Sequence, residues 1–197
     1  MKVSGVIQVG CHHAQEYEEY IGLGIKQFVF IEPCRAAFEV VKNKFKGNPD
    51  VILYNHACGD AAYQGTMYTG PSNQGMSNSL LKPKVHLTQH PDVLFTTTEE
   101  VDVIRLDDLF FERHRYNLLN MDCQGFEGRV LMGAKKTLES IDYIYTEINR
   151  QEMYENNAMV EDIDRLLSDF TRVETGWASD YHGWGDAMYI RKTLLPA

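Results

Sequence analysis

The sequence predicts an α/β fold built on a mostly parallel β-sheet. In the first 55 residues, strand-like apolar runs alternate with amphipathic stretches in the order β-α-β-α-β, which is typical of parallel strands joined by crossover helices. Gly10 follows the first strand, and Glu32 ends the second. A glycine turn and an acid at the carboxyl ends of parallel strands indicate a ligand pocket at that edge of the sheet.

Each predicted element rests on a local pattern. Strands are short runs rich in apolar residues, and helices carry apolar residues three and four apart. The predicted strands cover 3–9, 27–32, 51–55, 101–106, 116–122, 143–148, 171–175 and 187–190. The predicted helices cover 15–23, 33–46, 107–114, 127–138 and 160–170. The last two strands are close enough in sequence to pair antiparallel, as a hairpin at the edge of the sheet.

Length and composition predict one domain over residues 1–197. A chain of 197 residues with 44% hydrophobic content can bury one sizeable core. Residues 61–100 interrupt the regular pattern, because they are rich in Gly, Ser, Asn, Thr and Pro. Long irregular inserts in compact domains usually serve function. We therefore interpret 61–100 as a lid or substrate loop.

Charge and hydropathy exclude several classes of partner. The 28 acidic and 19 basic residues give a formal net charge of -9, which disfavours binding to a phosphate backbone, so we expect no nucleic-acid partner. No apolar run reaches the roughly 20 residues of a membrane span, and no signal-peptide core follows the first residues. We expect a cytoplasmic protein without a membrane partner. No pattern in the sequence indicates an oligomeric state.

The four cysteines form no C-x-x-C pair, which favours free thiols in a reducing compartment. Each of them follows a predicted strand within two or three residues: Cys11, Cys34, Cys58 and Cys123. They should therefore gather at the carboxyl edge of the sheet, near His12 and His13. Small apolar side chains that pack beside a pocket are the favoured interpretation, so we expect no metal. A bound soft metal is the alternative.

Five motifs together resemble the FkbM family of S-adenosylmethionine-dependent methyltransferases. They are QVGCHHAQ at 8–15, FIEP at 30–33, VIRLDDL at 103–109, NMDCQGFE at 120–127 and VLMGA at 130–134. The resemblance implies a Rossmann-like class I methyltransferase fold, with a mostly parallel seven-stranded sheet and an antiparallel strand in the C-terminal hairpin. It also implies O-methylation of a hydroxyl on a sugar, a glycan or another small molecule.

With this resemblance, the strand ends become candidate contacts to S-adenosylmethionine. Glu32 is suited to accept hydrogen bonds from the two ribose hydroxyls, and Gly10 lets the backbone pass close beneath a ligand. The candidate cofactor-binding residues are Gly10, Cys11, His12, His13, Glu32, Pro33, Ala57, Cys58 and Asp122.

Methyl transfer needs an oriented acceptor and a base that removes its proton. Asp122 is the first candidate for that base and Glu147 the second, because each lies at the end of a predicted strand. A carboxylate that only caps the following helix is the alternative role for Asp122. The candidate substrate residues are Ser77, Ser79 and His86 on the insert and Trp184 in the C-terminal hairpin.

Two other functions compete with this interpretation. Dinucleotide binding is disfavoured, because its fingerprint needs glycine where this chain has His12. A non-catalytic binding protein is the stronger alternative, because four positions depart from the family's pattern. The family usually has an acid at Gln8 and glycine at Ala14, and commonly Lys and Glu at Asn120 and Gln124.

Overall fold

The computed structural model describes residues 2–196. Its main sheet has seven strands in the order β3-β2-β1-β7-β8-β10-β9. The first five of these strands run parallel, and β10 pairs antiparallel with both β8 and β9. The predicted fold class and its C-terminal hairpin are therefore confirmed. The strands of this sheet are β1 (Val6–Val9), β2 (Phe28–Ile31), β3 (Val51–Tyr54), β7 (Leu118–Met121), β8 (Tyr143–Asn149), β9 (Phe170–Trp177) and β10 (Trp184–Arg191).

Helices cover the sheet from both sides and bury two cores. Strands β1, β2 and β7 are buried along their whole length, as expected where helices cover both faces. One core includes Ile7, Leu119 and Val130, and the other includes Phe28 and Val41. The helices are α1 (Tyr17–Gly22), α2 (Arg35–Lys44), α3 (His86–Gln89), α4 (Glu127–Met132), α5 (Lys135–Leu138) and α6 (Val160–Leu166).

The segment at 61–100 is more ordered than we predicted. Strand β5 (Tyr63–Thr69) pairs antiparallel with β6 (Thr97–Ile104), and the short β4 (Ala57–Cys58) joins them in a second sheet. This sheet buries Met67 and Val103 against the start of α2. The sequence pattern predicted an irregular loop here, because a short, largely polar strand becomes stable only when its distant partner strand is present.

Two predicted helices differ in the structure. The region 107–114 holds two 3₁₀ turns, because the Asp107 carboxylate accepts the backbone N–H groups of Lys136 and Thr137 at the start of α5, at 2.9 and 2.8 Å. The helix predicted over 127–138 divides into α4 and α5 at Gly133, which packs directly on the backbone oxygen of Gly59. No helix within residues 2–196 combines the length and hydropathy needed to cross a membrane.

The packing at Gly133 gives a stability prediction. A Cβ atom at Gly133 would lie 1.9 Å from the Gly59 oxygen, whereas a Cβ at Gly22 would meet no atom within 4 Å. We expect Gly133→Ala to lower the free energy of unfolding by about 1–3 kcal/mol, because backbone must move to admit the methyl group. Gly22→Ala, in α1, should leave it unchanged or raise it by up to about 1 kcal/mol. Urea denaturation of both variants measures the difference, and equal stabilities would contradict the packing described at Gly133.

Candidate functional site

A cleft of about 790 Å³, part of it open to solvent, lies at the carboxyl ends of β1, β2, β4 and β7. The strand-end residues that the sequence predicts for a cofactor site line it, with one exception. His13 is outside the lining, and its ring stacks on that of His12 at a centroid distance of 3.8 Å. The predicted residues that line the cleft are Gly10, Cys11, His12, Glu32, Pro33, Ala57, Cys58 and Asp122.

The turn after β1 forms the floor of the cleft and requires glycine at its first position. Gly10 has a φ of +79°, a conformation that side chains disfavour. A Cβ atom there would also lie 1.9 Å from the backbone oxygen of Asp122. The ends of β1 and β7 therefore meet backbone to backbone beneath the cleft.

Glu32 ties two turns of the cleft together. Its carboxylate oxygens accept the backbone N–H groups of His12 and Cys34, each at 2.8 Å. Burial raises the pKa of Glu32, and the two backbone hydrogen bonds oppose that shift. Each oxygen keeps a lone pair for a further donor, such as a hydroxyl group.

The side chains that depart from the family's pattern near β1 are accommodated outside the cleft. Gln8 donates from Nε2 to Glu16 at 2.9 Å, and Glu16 lines the cleft. Ala14 is fully buried and adopts a φ of +49°, although it is not glycine. Asn120 donates to the Tyr20 hydroxyl at 2.6 Å. These three substitutions leave the volume of the cleft open.

The insert supplies one wall of the cleft. Its turn at Ser72–Gly75 is joined to the floor by a 2.9 Å hydrogen bond between His12 Nε2 and the Gln74 oxygen. Beyond this turn, Met76 and Asn78 line the cleft. The predicted lid or substrate loop therefore lies where it contacts any ligand bound in the cleft.

A second cavity, here called the side pocket, adjoins the cleft. Met76, Asp122 and Gln124 line both of them. Asp122 thus lies at the junction, with its side chain accessible from the cleft. The other residues of the side pocket are Asn73, Ser77, His86, His90, Val93, Glu147, Met153, Tyr154 and Trp184.

Of the predicted substrate residues, only Ser79 is absent from the side pocket. Ser79 is fully buried, and its hydroxyl donates to the Gln124 backbone oxygen at 2.7 Å. This hydrogen bond supports the turn at Gln124, which has a φ of +52°. Its role in the structure is therefore to hold the loop after β7.

The Gln124 amide connects the two predicted catalytic carboxylates. Its Nε2 donates to Asp122 Oδ1 at 2.7 Å and to Glu147 Oε2 at 2.9 Å. The Tyr154 hydroxyl donates to Gln124 Oε1 at 2.7 Å, which fixes the orientation of the amide. No sequence pattern indicates this role for Tyr154, because it depends on contact between segments that are distant in the chain.

Removal from water raises the pKa values of the carboxyl groups around this network. Desolvation is the main cause for Glu147, whose pKa lies well above its usual range. For Asp122, whose side chain remains accessible from the cleft, partial desolvation and the negative charges of Asp186 and Glu16 raise the pKa to about 6. Glu127 also shifts upward, to a pKa of about 7, mainly through burial. Its carboxylate accepts the N–H groups of Cys123 and Gly125 and so shapes the turn rather than facing the pocket.

The histidines of the side pocket are held in their neutral form. Burial, followed by the proximity of His90, lowers the pKa of His86 to about 4. The ring of His86 is 5% exposed, and its Nδ1 has no hydrogen-bond partner among the described residues. His90 also has a lowered pKa, through burial and then His182. These rings add polar atoms to the pocket without adding charge.

All four cysteines line the cleft, as the strand pattern predicted. Burial raises the pKa of each thiol, so none is activated as a thiolate. Within residues 2–196, no group of three His, Cys, Asp or Glu side chains is arranged to hold a metal ion. The thiols contribute small apolar surface beside the cleft.

Both cavities carry negative charge without a compensating cation. The cleft is lined by the carboxyl groups of Glu16, Glu32 and Asp122, and Asp122 also lines the side pocket. Among the described residues, no lysine or arginine lines either cavity. The site therefore suits cationic and uncharged ligands better than anionic ones.

Comparison with known proteins extends these observations. Residues 8–173 match the model of the methyltransferase FkbM domain. The chain is 30% identical over 178 residues to the 2-O-methyltransferase NoeI of Sinorhizobium fredii strain NGR234, an alignment that covers 85% of this chain and 72% of that protein.

Solved structures of low sequence identity share the fold. One is a Streptococcus pneumoniae protein in complex with S-adenosyl-L-methionine, with a TM-score of 0.52, 11% identity and coverage of 98% of this chain and 68% of that one. Another is the N-methyltransferase NodS from Bradyrhizobium japonicum WM9, with a TM-score of 0.53, 10% identity and coverage of 96% and 86%. The fold is that of class I methyltransferases, and the chain belongs to the FkbM methyltransferase family.

Proposed function

We propose that this chain binds S-adenosylmethionine in the cleft and methylates a hydroxyl group of a small molecule or glycan held in the side pocket. The observation that carries the proposal is the position of Asp122, which lines both cavities. A group at this junction can contact a methyl donor and an acceptor at the same time. The similarity to a protein named as a 2-O-methyltransferase supports a hydroxyl acceptor.

The residues of the cleft fit the proposed cofactor. The floor of the cleft consists of backbone atoms, because a Cβ atom at Gly10 would collide with the Asp122 backbone oxygen. Glu32 has free lone pairs for the ribose hydroxyls, and the carboxylates of Glu16 and Asp122 favour the positive charges of a sulfonium and an amine. His56 lines the same cleft, and its buried Nδ1 has no partner among the described residues. That atom is available to a polar group of the cofactor.

The chain's own contribution to the reaction is orientation and proton removal. S-adenosylmethionine supplies an electrophilic methyl group when it is bound. Asp122 is suited to take the proton of the acceptor hydroxyl, because a pKa of about 6 leaves it mainly ionised at neutral pH while keeping it more basic than an ordinary aspartate. Gln124 holds Asp122 through Oδ1, so Oδ2 remains to receive the proton.

Glu147 has a different role in this proposal. Its pKa lies well above the usual range because it is buried and faces Asp122 and Glu127, so it carries a proton when Asp122 does not. A protonated carboxyl group donates one hydrogen bond and accepts others. We therefore assign Glu147 to acceptor binding, with Asp122 as the base.

A non-catalytic binding protein is the alternative function. It was suggested by the unusual residues at Gln8 and Ala14, whose side chains lie outside the cleft. The open cleft and the junction at Asp122 favour the enzyme. We also propose a cytoplasmic location, supported by four cysteines without a disulfide bond.

The cofactor proposal predicts a melting shift with S-adenosylhomocysteine. At about 100 times its dissociation constant, a ligand that binds only the folded state stabilises it by about 2.7 kcal/mol, or about 5–10 °C for a chain of this size. Glu32→Gln should remove most of this shift, because the amide cannot accept both ribose hydroxyls. Each shift is measured from the variant's own melting temperature without ligand.

The control for this measurement is Glu39→Gln, an exposed position on α2, which should keep the full shift. If the parent protein shows no shift with either S-adenosylmethionine or S-adenosylhomocysteine, the proposed function is wrong. If Glu32→Gln shifts as much as the parent, Glu32 does not bind the ribose.

The raised pKa of Glu147 predicts a dependence of stability on pH. A carboxyl group whose pKa is higher in the folded state stabilises the fold below its ordinary pKa, and that contribution is lost as the pH rises through the raised pKa. The parent should therefore melt at a lower temperature at pH 8 than at pH 5. In Glu147→Gln, the melting temperature should fall less between pH 5 and pH 8. The difference from the parent should be about 2–4 °C for each 1 kcal/mol that Glu147 contributes to the pH dependence of the free energy of unfolding.

Differential scanning fluorimetry at both pH values measures this effect, with the exposed Glu161→Gln as the control variant. An equal decrease in the parent and in Glu147→Gln would mean that Glu147 is ionised at neutral pH in the folded protein. It would then be as good a candidate for the base as Asp122.

A further inference from the structure

We propose that the side pocket binds two neighbouring hydroxyl groups of an uncharged polyol, one on Asp122 and the other on Glu147, and that it excludes anionic acceptors. This inference rests on the proposed function and specifies its acceptor. It follows from the geometry of the two carboxyl groups, the charges around them and an unpartnered polar atom in the same pocket.

The Gln124 amide links the two carboxyl groups and sets their geometry. One nitrogen atom lies within 2.7 Å of Asp122 Oδ1 and 2.9 Å of Glu147 Oε2. The nitrogen faces the carboxyl groups, because an ionised Asp122 can only accept hydrogen bonds, and the amide oxygen accepts from the Tyr154 hydroxyl. The two carboxyl groups are thereby held side by side at a fixed separation, both lining the side pocket. A pair of hydrogen-bonding groups fixed in this way matches a pair of hydroxyls on adjacent carbon atoms.

The remaining oxygen atoms of the pair are available to a ligand. Asp122 Oδ2 accepts no hydrogen bond from the described residues, and Glu147 Oε1 has only a long 3.4 Å contact with Asn149. An ionised Asp122 can only accept, whereas a neutral Glu147 both donates and accepts. One hydroxyl therefore donates to Asp122, and its neighbour exchanges hydrogen bonds with Glu147. The hydroxyl on Asp122 is the one whose proton is removed.

The described residues of the side pocket provide no positive charge that could pair with an anion. No lysine or arginine among the described residues lines the side pocket. The nearby Arg150 is committed elsewhere, because its guanidinium donates to backbone oxygens such as that of His182 and lies over the Trp177 ring at 4.7 Å. A phosphate, sulfate or carboxylate on the acceptor would thus lie unpaired beside Asp122. An anionic group in that position would be repelled by Asp122 with no cation to offset it.

His86 lies in the wall of the same pocket, and its Nδ1 has no hydrogen-bond partner among the described residues. Buried polar atoms in folded proteins are nearly always hydrogen-bonded, so an orphaned nitrogen at a cavity indicates a polar ligand. Trp184 also lines this pocket with an aromatic ring, and its Nε1 donates to His90 at 3.2 Å. An apolar ring face and several polar groups together suit a sugar ring.

The test measures binding and turnover with defined glycosides. Saturation-transfer NMR with the S-adenosylhomocysteine-bound protein gives affinities for methyl hexopyranosides, their monodeoxy derivatives, the matching uronates and the matching amino sugars. Released S-adenosylhomocysteine gives the rates when S-adenosylmethionine is present. We expect at least one neutral glycoside to bind and react. Its monodeoxy derivatives at the recognised pair should bind about tenfold or more weakly, because a buried carboxyl group loses its partner. The uronates should not bind.

Variants separate the two roles. Glu147→Leu should raise KM about tenfold or more, and Glu147→Gln should recover most of that loss, because the amide also donates and accepts. Asp122→Asn should lower kcat about 100-fold or more, because it removes the proton acceptor. For the two Glu147 variants, an unchanged melting shift with S-adenosylhomocysteine shows that the protein is folded and keeps the cleft. For Asp122→Asn, whose side chain also lines the cleft, a cooperative melting transition without ligand shows that it is folded, and kcat is measured at saturating S-adenosylmethionine.

The outcomes distinguish this inference from the proposed function. Uronates that bind as tightly as the neutral glycosides, amino sugars that bind no better than the uronates, or monodeoxy derivatives with unchanged affinity would overturn the inference. It would also be overturned if S-adenosylhomocysteine binds but no glycoside does, and the methyltransferase assignment would then stand. Failure of S-adenosylhomocysteine to bind would overturn both.

Discussion

The close contact between Gly10 and the backbone oxygen of Asp122 is the constraint on which the site depends. It brings the ends of β1 and β7 together with no side chain between them, so the cleft has a floor of backbone atoms. Glu32 then fixes the turn above this floor by accepting N–H groups from His12 and Cys34. Because the same contact places Asp122 at the centre of the sheet edge, the cleft and the side pocket meet at its carboxyl group.

The electrostatics of the site follow from that placement. Carboxyl groups that are crowded and partly removed from water hold their protons more tightly, and no lysine or arginine among the described residues of the two cavities relieves them. The Gln124 amide satisfies Asp122 and Glu147 together without adding charge. The pair can therefore divide its roles, with one group ionised and the other neutral. Such a division is how neighbouring carboxyl groups serve acid and base functions in a single site.

The sequence predicted the features that the sheet determines and missed those that depend on contacts between distant side chains. The four cysteines could be placed at the cleft because each follows a strand, and strand ends share one edge of a parallel sheet. The second sheet was missed because β5 and β6 are separated by residues 70–96 and pair only in the folded chain. The Tyr154–Gln124 hydrogen bond joins segments 30 residues apart. Ala14 replaces a glycine that the family usually has, which made a degenerate cofactor site an alternative. In the structure its side chain packs in the core.

The central claim is that the cleft at the end of β1 binds the methyl donor. Methionine methyl groups report on it directly, because Met67 and Met76 line the cleft, whereas Met132 is exposed on α4, outside it. NMR spectra of protein with labelled methionine methyl groups, recorded during titration with S-adenosylhomocysteine, should show shifts at Met67 and Met76 that saturate together while Met132 stays unchanged. Unchanged signals at both cleft methionines, or an equal shift at Met132, would contradict the account.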